Sequence, residues 1–172
     1  DFPKEVFNLK VSQEENTYSF LLRGKSCEIT LNEKKEFTQE EAKEFKLDCE
    51  RGHFMKDYYT YLYGLPMKLN DPGTHLDAKA EKKRFKGKDY LVLKATYDAE
   101  VGKDTWYFYF DPTTYAMEVY QFYHDENKND GEYIILKGLE TIEGIKMPKT
   151  RAWYMNKDDK YLGTDTLSKE VQ

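Results

Sequence analysis

The stretch GKDTWYFYFDPTTYAMEVYQFYH, residues 102 to 124, decides the fold. Two runs of strand-forming residues flank a DPTT turn, so the stretch predicts a β-hairpin. Successive side chains of a strand point to opposite faces of the sheet. One face therefore receives Trp106, Phe108 and Phe110, and the other receives Tyr107 and Tyr109. Because both faces are aromatic, the sheet that contains this hairpin needs a cover on each side.

The rest of the chain repeats the same pattern of short strands separated by turns. Besides the opening hairpin, the predicted strands are 5–11, 17–22, 27–31, 78–85, 89–97, 131–142, 145–155 and 160–167. Connections of hairpin length, such as the turns at Gly87 and at Glu143–Gly144, favour a large antiparallel meander. A chain of 172 residues is long enough for one domain with a core and short for two, so we expect a single domain over 1–172.

Only the middle of the chain predicts helices. Thr38 and Glu41 form a capping box at the head of a short helix. A second helix follows, and Gly64 and Pro66 end it, because proline cannot continue the helical hydrogen bonds. One face of this helix would carry Phe54, Tyr58, Tyr61, Leu62 and Leu65.

These elements predict a mainly β (α+β) fold, in which a curved antiparallel sheet is incompletely closed and the two helices lie across its concave face. The tyrosine side of strand 105–110 is expected to form a half-wet outer face with its hydroxyls in water. Two small helices would fill the hollow incompletely, which leaves either core side chains or a cavity.

Composition narrows the class of protein. The formal charge is −5 and the lysines are scattered among carboxylates, which disfavours nucleic acid as a partner. Aromatic residues make up 16% of the chain, and no run is long enough to span a membrane. Cys27 and Cys49 fit no zinc spacing, so they either form one disulfide or are two separate buried thiols.

Three stretches resemble a known family: YYTYLYGLPMKLNDPGT (58–74), residues 101–134 and GIKMPKTRAWYMNKDDKYLGTDTL (144–167). The chain resembles an uncharacterised family of Gram-negative secreted or lipid-anchored envelope proteins, which look like the outer-membrane lipoprotein carrier and receptor proteins (LolA/LolB-like). The resemblance implies an open half-barrel with helices in its concave side. It also implies a signal sequence upstream of Asp1, with an N-terminal helix and strand preceding the chain.

The same resemblance places the protein in the periplasm or on the outer membrane. An oxidising periplasm in turn favours a Cys27–Cys49 disulfide. The family supplies no catalytic residues to carry over, so the resemblance implies a protein that is not an enzyme and uses no cofactor. We expect it to act as a monomer, with a lipid or other hydrophobic molecule as ligand and envelope lipoproteins as candidate partners.

The aromatic residues are the candidate site. They either pack into an ordinary core or line an apolar cavity for a hydrophobic ligand. The candidate cavity residues are Phe54, Tyr58, Tyr61, Leu62, Leu65, Met67, Trp106, Phe108, Phe110, Phe122 and Trp153. Gly64 and Pro66 would be the hinge of a lid formed by the helices.

Other kinds of chemistry have weaker signals. Residues 124–126 (HDE) have ligand types suited to a hard cation, but they read as a solvated hairpin loop, so no metal site is predicted. His53 and His75 lack paired metal-ligand spacing and are expected at the surface. The alternatives to hydrophobic-ligand binding are an envelope module that binds polysaccharide or protein through surface tyrosines and, more weakly, a hydrolase with dispersed carboxylates.

Overall fold

The computed structural model describes residues 5–168, and over this range the chain is mainly β with two α-helices. The strands are β1 (Val6–Gln13), β2 (Asn16–Arg23), β3 (Ser26–Leu31), β4 (Thr74–Leu76), β5 (Glu81–Phe85), β6 (Lys88–Tyr97), β7 (Thr105–Phe110), β8 (Met117–Tyr123), β9 (Glu132–Ile142), β10 (Ile145–Met155) and β11 (Tyr161–Thr166). The helices are α1 (Gln39–Glu44) and α2 (Cys49–Gly64), and short 3-10 turns lie at Met67–Asn70 and Glu126–Lys128. The predicted class, mainly β with an open antiparallel sheet, is confirmed.

The chain divides into two compact units, and the division falls between Leu65 and Pro66. The first unit contains the sheet β1-β2-β3 and both helices. The second contains an eight-stranded sheet in the order β11-β10-β9-β8-β7-β6-β4, in which β5 also pairs with β6. This sheet is not closed into a barrel. From β6 to β11 each strand pairs with its neighbour in sequence, so the predicted meander is confirmed.

Tight turns set the register of this meander. The β9–β10 connection consists of Glu143 and Gly144, with φ values of 46° and 82°. The β5–β6 connection consists of Lys86 and Gly87, with φ values of 48° and 85°. Two-residue loops with both φ angles positive have the twist that matches a right-handed antiparallel pair.

The turn of the opening stretch is organised by the carboxylate of Asp111. It accepts hydrogen bonds from the backbone N–H of Thr113 and of Thr114, at 2.9 and 2.8 Å. The ammonium of Lys88, at the start of β6, lies 2.7 Å from the same carboxylate. The Lys88 ammonium, followed by the two backbone donors, holds the pKa of Asp111 well below its ordinary value.

In the first unit, α1 begins at the predicted capping box. Thr38 accepts from the Glu41 backbone N–H at 3.2 Å, and the Glu41 carboxylate accepts from the Thr38 N–H at 2.7 Å. The adjacent core consists of Phe20, Leu31 and Leu47. The start of α1 and the end of α2 just before Pro66, where Leu65 is extended, are therefore confirmed. α2 begins earlier than the predicted stripe, at Cys49, where Asp48 caps it.

α2 packs on the sheet of the first unit through a stripe that sequence reasoning did not identify, and within it Gly52 faces Phe20 and Leu22 of β2. Gly52, Lys56 and Tyr59 share one face of the helix, as their spacing requires. The Tyr59 ring lies 6.5 Å from the ring of Phe7, and Lys56 forms an ion pair with Glu5 at 3.1 Å. This stripe explains why tyrosines of α2 also occur away from the predicted apolar face.

The Cys27–Cys49 disulfide joins β3 to the first residue of α2. The pairing that the family resemblance implied is therefore confirmed. The two Cα atoms are 5.9 Å apart and the bond spans 22 residues of sequence. Next to the disulfide, α2 can approach β2 closely because Gly52 has no side chain. A Cβ at this position would lie only 3.0 Å from the Phe20 ring. The disulfide thus fixes the start of α2 against the sheet.

Removing the disulfide in a Cys27→Ser/Cys49→Ser variant should lower the free energy of unfolding by about 3 kcal/mol, because the cross-link restricts the unfolded chain. Urea unfolding measures this loss. A reductant should reproduce it in the wild type and have no effect on the variant. A variant as stable as the oxidised wild type would contradict the prediction.

The low pKa of Asp111 gives the fold an acid-sensitive contribution. A carboxyl whose pKa is lower in the folded state than in the unfolded state stabilises above its unfolded pKa, and this contribution is lost as the pH falls through the folded pKa. Asp111→Asn keeps one acceptor oxygen but removes the charge that faces Lys88. Between about pH 5 and about pH 2, the free energy of unfolding should therefore fall more in the wild type than in the variant. Equal pH profiles would show that this ion pair does not contribute.

Candidate functional site

The two faces of the sheet in the second unit carry different aromatic residues. The strand register places Trp106 opposite Phe122, and Phe108 opposite Tyr120. Tyr120 lies opposite Ile134, which lies opposite Trp153. The Trp/Phe face is defined by Trp106, Phe108, Phe110, Phe122 and Trp153. The tyrosine face, on the other side, is defined by Tyr90, Tyr107, Tyr109, Tyr133 and Tyr154.

Three of the five tyrosines that define the tyrosine face, Tyr90, Tyr109 and Tyr133, are buried, so the prediction of a half-wet outer face was wrong. Tyr109 and Tyr133 are only 5% and 3% exposed, and they form a cluster with Tyr90, Val92 and Val119. The hydroxyl of Tyr109 donates to the side-chain oxygen of Gln121 at 2.5 Å. Burial raises the pKa of Tyr109 well above its ordinary value. These hydroxyls are satisfied inside the protein, which is how buried tyrosines are tolerated.

The sheet curls over its tyrosine face at one end. The ring of Phe85, on β5, lies 5.1 Å from the ring of Tyr109 on β7 and 5.2 Å from the ring of Tyr133 on β9. In the turn after β5, the Lys86 ammonium donates to Asp159, in the β10–β11 turn, at 2.5 Å. The Tyr133 hydroxyl donates to the same carboxylate at 3.0 Å. Strands that are far apart in the order of the sheet therefore meet above the tyrosine face.

The Trp/Phe face is a second apolar layer. The ring of Trp106 stacks on Phe122 with centroids 4.9 Å apart, and on Phe108 with centroids 6.0 Å apart. Phe108 is fully buried and Trp153 is 8% exposed. Trp106, Phe110 and Phe122 keep part of their surface accessible. All five strand residues predicted for the ligand cavity thus share one face of one sheet.

The other predicted cavity residues differ in exposure. Within the first unit, Leu62 and Leu65 are buried, and Tyr58 and Tyr61 are half-buried. Phe54 is 57% exposed, where its ring stacks on Tyr58 with centroids 6.2 Å apart. Met67, in the second unit, is 54% exposed, while Leu69 of the same 3-10 turn is buried. Phe54 and Met67 are therefore largely solvated, and the ligand cavity itself stays a prediction.

The predicted hinge lies at the boundary between the units. Gly64 is the last residue of α2, and Leu65 has an extended backbone, with φ −68° and ψ 143°. Pro66 opens the second unit. The position fits a hinge, but motion there stays a prediction.

Charged groups border the Trp/Phe face at the end of β8. Glu132 lies opposite Phe122 in the register, and burial raises the pKa of its half-buried carboxyl. His124, which follows β8, lies 5.4 Å from the Phe122 ring. It hydrogen-bonds the Asp104 carboxylate at 2.7 Å, and this contact raises the pKa of the His124 ring. An apolar ligand on this face would have ionisable neighbours at one end.

The residues weighed for a metal have other roles. Asp125 caps the 3-10 turn by accepting from the Asn127 backbone N–H at 3.0 Å. Glu126 accepts from the Tyr107 hydroxyl, which lowers the pKa of the carboxyl. His75 pairs with Asp98 at 2.7 Å and is exposed, and His53 is partly exposed. Among residues 5–168, no group of three or more His, Cys, Asp or Glu is arranged to hold a metal ion.

A small polar cleft, which sequence reasoning missed, lies beside Tyr107 on the tyrosine face. Its volume is about 190 Å³. Its lining residues are Asp77, Lys79, Glu81, Lys83, Val92, Lys94 and Tyr107. The ammonium groups of Lys83 and Lys94 lie 4.7 and 5.3 Å from the centre of the Tyr107 ring. The sequence feature that could have identified this cleft is the segment KAEKKRFKGK (79–88), in which six basic residues are accompanied by only one acidic residue.

The fold and this site define a class: an open, mainly antiparallel β-protein whose main sheet has two aromatic faces. The chain belongs to the family of unknown function DUF6503, whose model matches residues 1–170. The expectation of an uncharacterised family is thereby confirmed, and one family match spans both compact units.

The chain was also compared with solved structures and with curated proteins. The chain is similar to the crystal structure of a LolA superfamily protein from Nitrosomonas europaea, with 11% sequence identity and a TM-score of 0.42. That alignment covers 97% of this chain and 88% of the other. The search of curated proteins gives no significant match. In the part of the chain that the structure describes, no helix combines the length and the apolar character needed to cross a membrane.

Proposed function

We propose that this protein binds a lipid or another hydrophobic ligand without catalysis, and that the Trp/Phe face of the second unit contacts the ligand. The observation that carries the proposal is that both faces of this sheet are apolar, and that the Trp/Phe face keeps accessible rings. The tyrosine face holds a buried cluster that includes Tyr109 and Tyr133. On the Trp/Phe face Phe108 is fully buried, whereas Trp106 and Phe122 keep part of their surface accessible.

The chemistry of this face suits an acyl chain. Stacked rings such as Trp106 and Phe122 offer a broad apolar surface with few polar atoms. Each methylene removed from water contributes about 0.8 kcal/mol, so a long chain binds well without polar recognition. The cavity residues predicted from the sequence are part of this proposal. Among those on the Trp/Phe face, Trp106, Phe110 and Phe122 are accessible.

We place this activity in the periplasm or at the outer membrane. The Cys27–Cys49 disulfide supports an oxidising compartment, because such bonds persist outside the reducing cytosol. Lipid-modified envelope proteins are candidate partners, because their acyl chains have the apolar chemistry that the Trp/Phe face would bind.

One observation favours a second candidate, the binding of a polar saccharide. The cleft beside Tyr107 combines an aromatic ring with carboxylates and ammonium groups, which are the side chains that contact sugar rings and hydroxyls. Most tyrosines of this sheet face are buried, however, so the platform is small. The hydrolase alternative stays an untested prediction.

Quenching of tryptophan fluorescence by dibrominated stearic acid tests the main proposal, because bromine quenches only indole rings in near contact. The wild type should be quenched by the brominated acid and much less by stearic acid. A Trp153→Phe variant, which keeps Trp106, should retain the quenching, and a Trp106→Phe variant should lose most of it. Phe122→Ser should weaken binding at least roughly tenfold, equivalent to about 1.4 kcal/mol.

The matched control is Tyr115→Ser, which removes a ring that is 69% exposed in the β7–β8 turn. It should leave the affinity unchanged, and near-ultraviolet circular dichroism should show native packing in every variant. Absence of brominated-acid quenching in the folded wild type would overturn the proposal. Quenching that persists unchanged in Trp106→Phe would place the ligand elsewhere.

The hinge belongs to the same proposal and has its own measurement. Pro66→Ala relaxes the backbone restriction on Leu65, so ligand uptake and release, followed by stopped-flow fluorescence, should change in rate while the equilibrium affinity changes little. Identical rates in the variant and the wild type would remove the hinge and leave the ligand proposal intact.

A further inference from the structure

The β9–β10 hairpin extends beyond its neighbours in the sheet. The register of β9 with β8 ends at Ile135, and the register of β10 with β11 ends at Thr150. Beyond these points the two strands pair with each other as far as Ile142 and Ile145. Residues 137–149 therefore form a two-stranded ribbon that pairs with no further strand within the described part of the chain, although at its base the Lys149 carbonyl accepts from the Leu167 N–H at 2.7 Å.

The end of this ribbon carries exposed apolar side chains on both of its faces. Leu139 is 68% exposed and lies opposite Pro148 on one face. Ile145 is 54% exposed and lies opposite Ile142 on the other face, next to the Glu143–Gly144 turn. Large exposed aliphatic residues on both faces of one projecting hairpin are candidates for an interaction site.

The arrangement favours a lipid surface over a protein as the occupant. A protein partner would cover one face of the ribbon, whereas insertion into an acyl layer covers both. Addition of another strand is disfavoured, because Pro148 has no N–H to donate and the exposed Lys146 and Lys149 discourage edge-to-edge pairing.

Charge points to an anionic lipid surface. The ribbon carries three lysines, Lys137, Lys146 and Lys149, and two glutamates, Glu140 and Glu143. Its formal charge is therefore +1 on a chain whose formal charge is −5, and Lys149 lies 3.9 Å from Glu140 in an ion pair. Long lysine side chains near an inserted apolar tip reach the headgroup level and contact anionic lipids.

We propose that residues 137–149 form a membrane-docking ribbon that inserts Leu139 and Ile145 into the interface of an anionic lipid layer. This inference goes beyond ligand binding and does not depend on it, because none of the residues that define the Trp/Phe face lies in the ribbon. Docking at a lipid layer would bring the protein to a source of hydrophobic molecules.

Co-sedimentation with vesicles of phosphatidylcholine and phosphatidylglycerol tests the docking. The wild type should bind these vesicles more than vesicles of phosphatidylcholine alone, and added salt should weaken the binding. A Leu139→Ser/Ile145→Ser variant should lose at least fivefold in vesicle binding. Both positions are solvated, so the variant should fold normally, as circular dichroism would verify.

Val6→Ser is the matched control, since Val6 is 55% exposed on β1 and lies outside the ribbon. It should bind vesicles like the wild type. Vesicle binding that is absent in the wild type, or unchanged in the double variant, would overturn the proposal. A wild-type dimer in analytical ultracentrifugation that the double variant abolishes would also overturn it, in favour of a second copy of the chain as the occupant. Brominated-acid quenching should be equal in the double variant and the wild type, so failure of docking is distinguishable from failure of ligand binding.

Discussion

The alternation of side chains along β7 is the constraint on which the second unit depends. A pleated strand with rings at every position from Trp106 to Phe110 presents apolar surface to both sides of the sheet. Neither side can be left in water without a large loss of hydrophobic stabilisation. The tyrosine side is covered by the curl of the sheet itself, which brings Phe85 onto Tyr109 and Tyr133. On the Trp/Phe side Phe108 and Trp153 are buried, whereas Trp106, Phe110 and Phe122 keep part of their surface accessible.

Burying tyrosines rather than phenylalanines has a structural consequence. Each hydroxyl needs a partner inside the protein, and the partners link distant parts of the sheet. Tyr109 binds Gln121, whose amide donates to Asn156 at 2.8 Å, and Asn156 in turn donates to the Phe122 carbonyl at 2.8 Å. This chain of hydrogen bonds connects β7, β8 and the turn after β10. The polar tips therefore specify which strands meet, while the rings supply most of the burial.

Two exposed parts of the same sheet, the edge strand β5 and the ribbon 137–149, differ in their side chains. β5 is an edge strand whose side chains are exposed except for Phe85, and its charges, among them Lys82 and Arg84, oppose pairing with another chain. The basic run 79–88 thus has a plain structural role. The ribbon 137–149 has fewer charges and an apolar end formed by Leu139 and Ile145. Because a soluble protein ordinarily protects such an end, its exposure is the more informative of the two.

Most strands, the start of α1 and the end of α2 follow from the sequence, because turns, the Thr38–Glu41 capping box and Pro66 act on the backbone locally. The short strand β4 and the start of α2 at Cys49 were not predicted. The sequence also predicts which rings share a face, since alternation is a local property. Tertiary structure alone decided that the tyrosine face is buried, since that depends on how far the sheet curls and on which rings Phe85 reaches. It decided, too, that Phe54 and Met67 are solvated and that α2 packs through Gly52, because helical periodicity shows stripes but not the surface that each stripe meets. The Cys27–Cys49 bond required two distant segments to approach within 5.9 Å, which spacing along the chain cannot reveal.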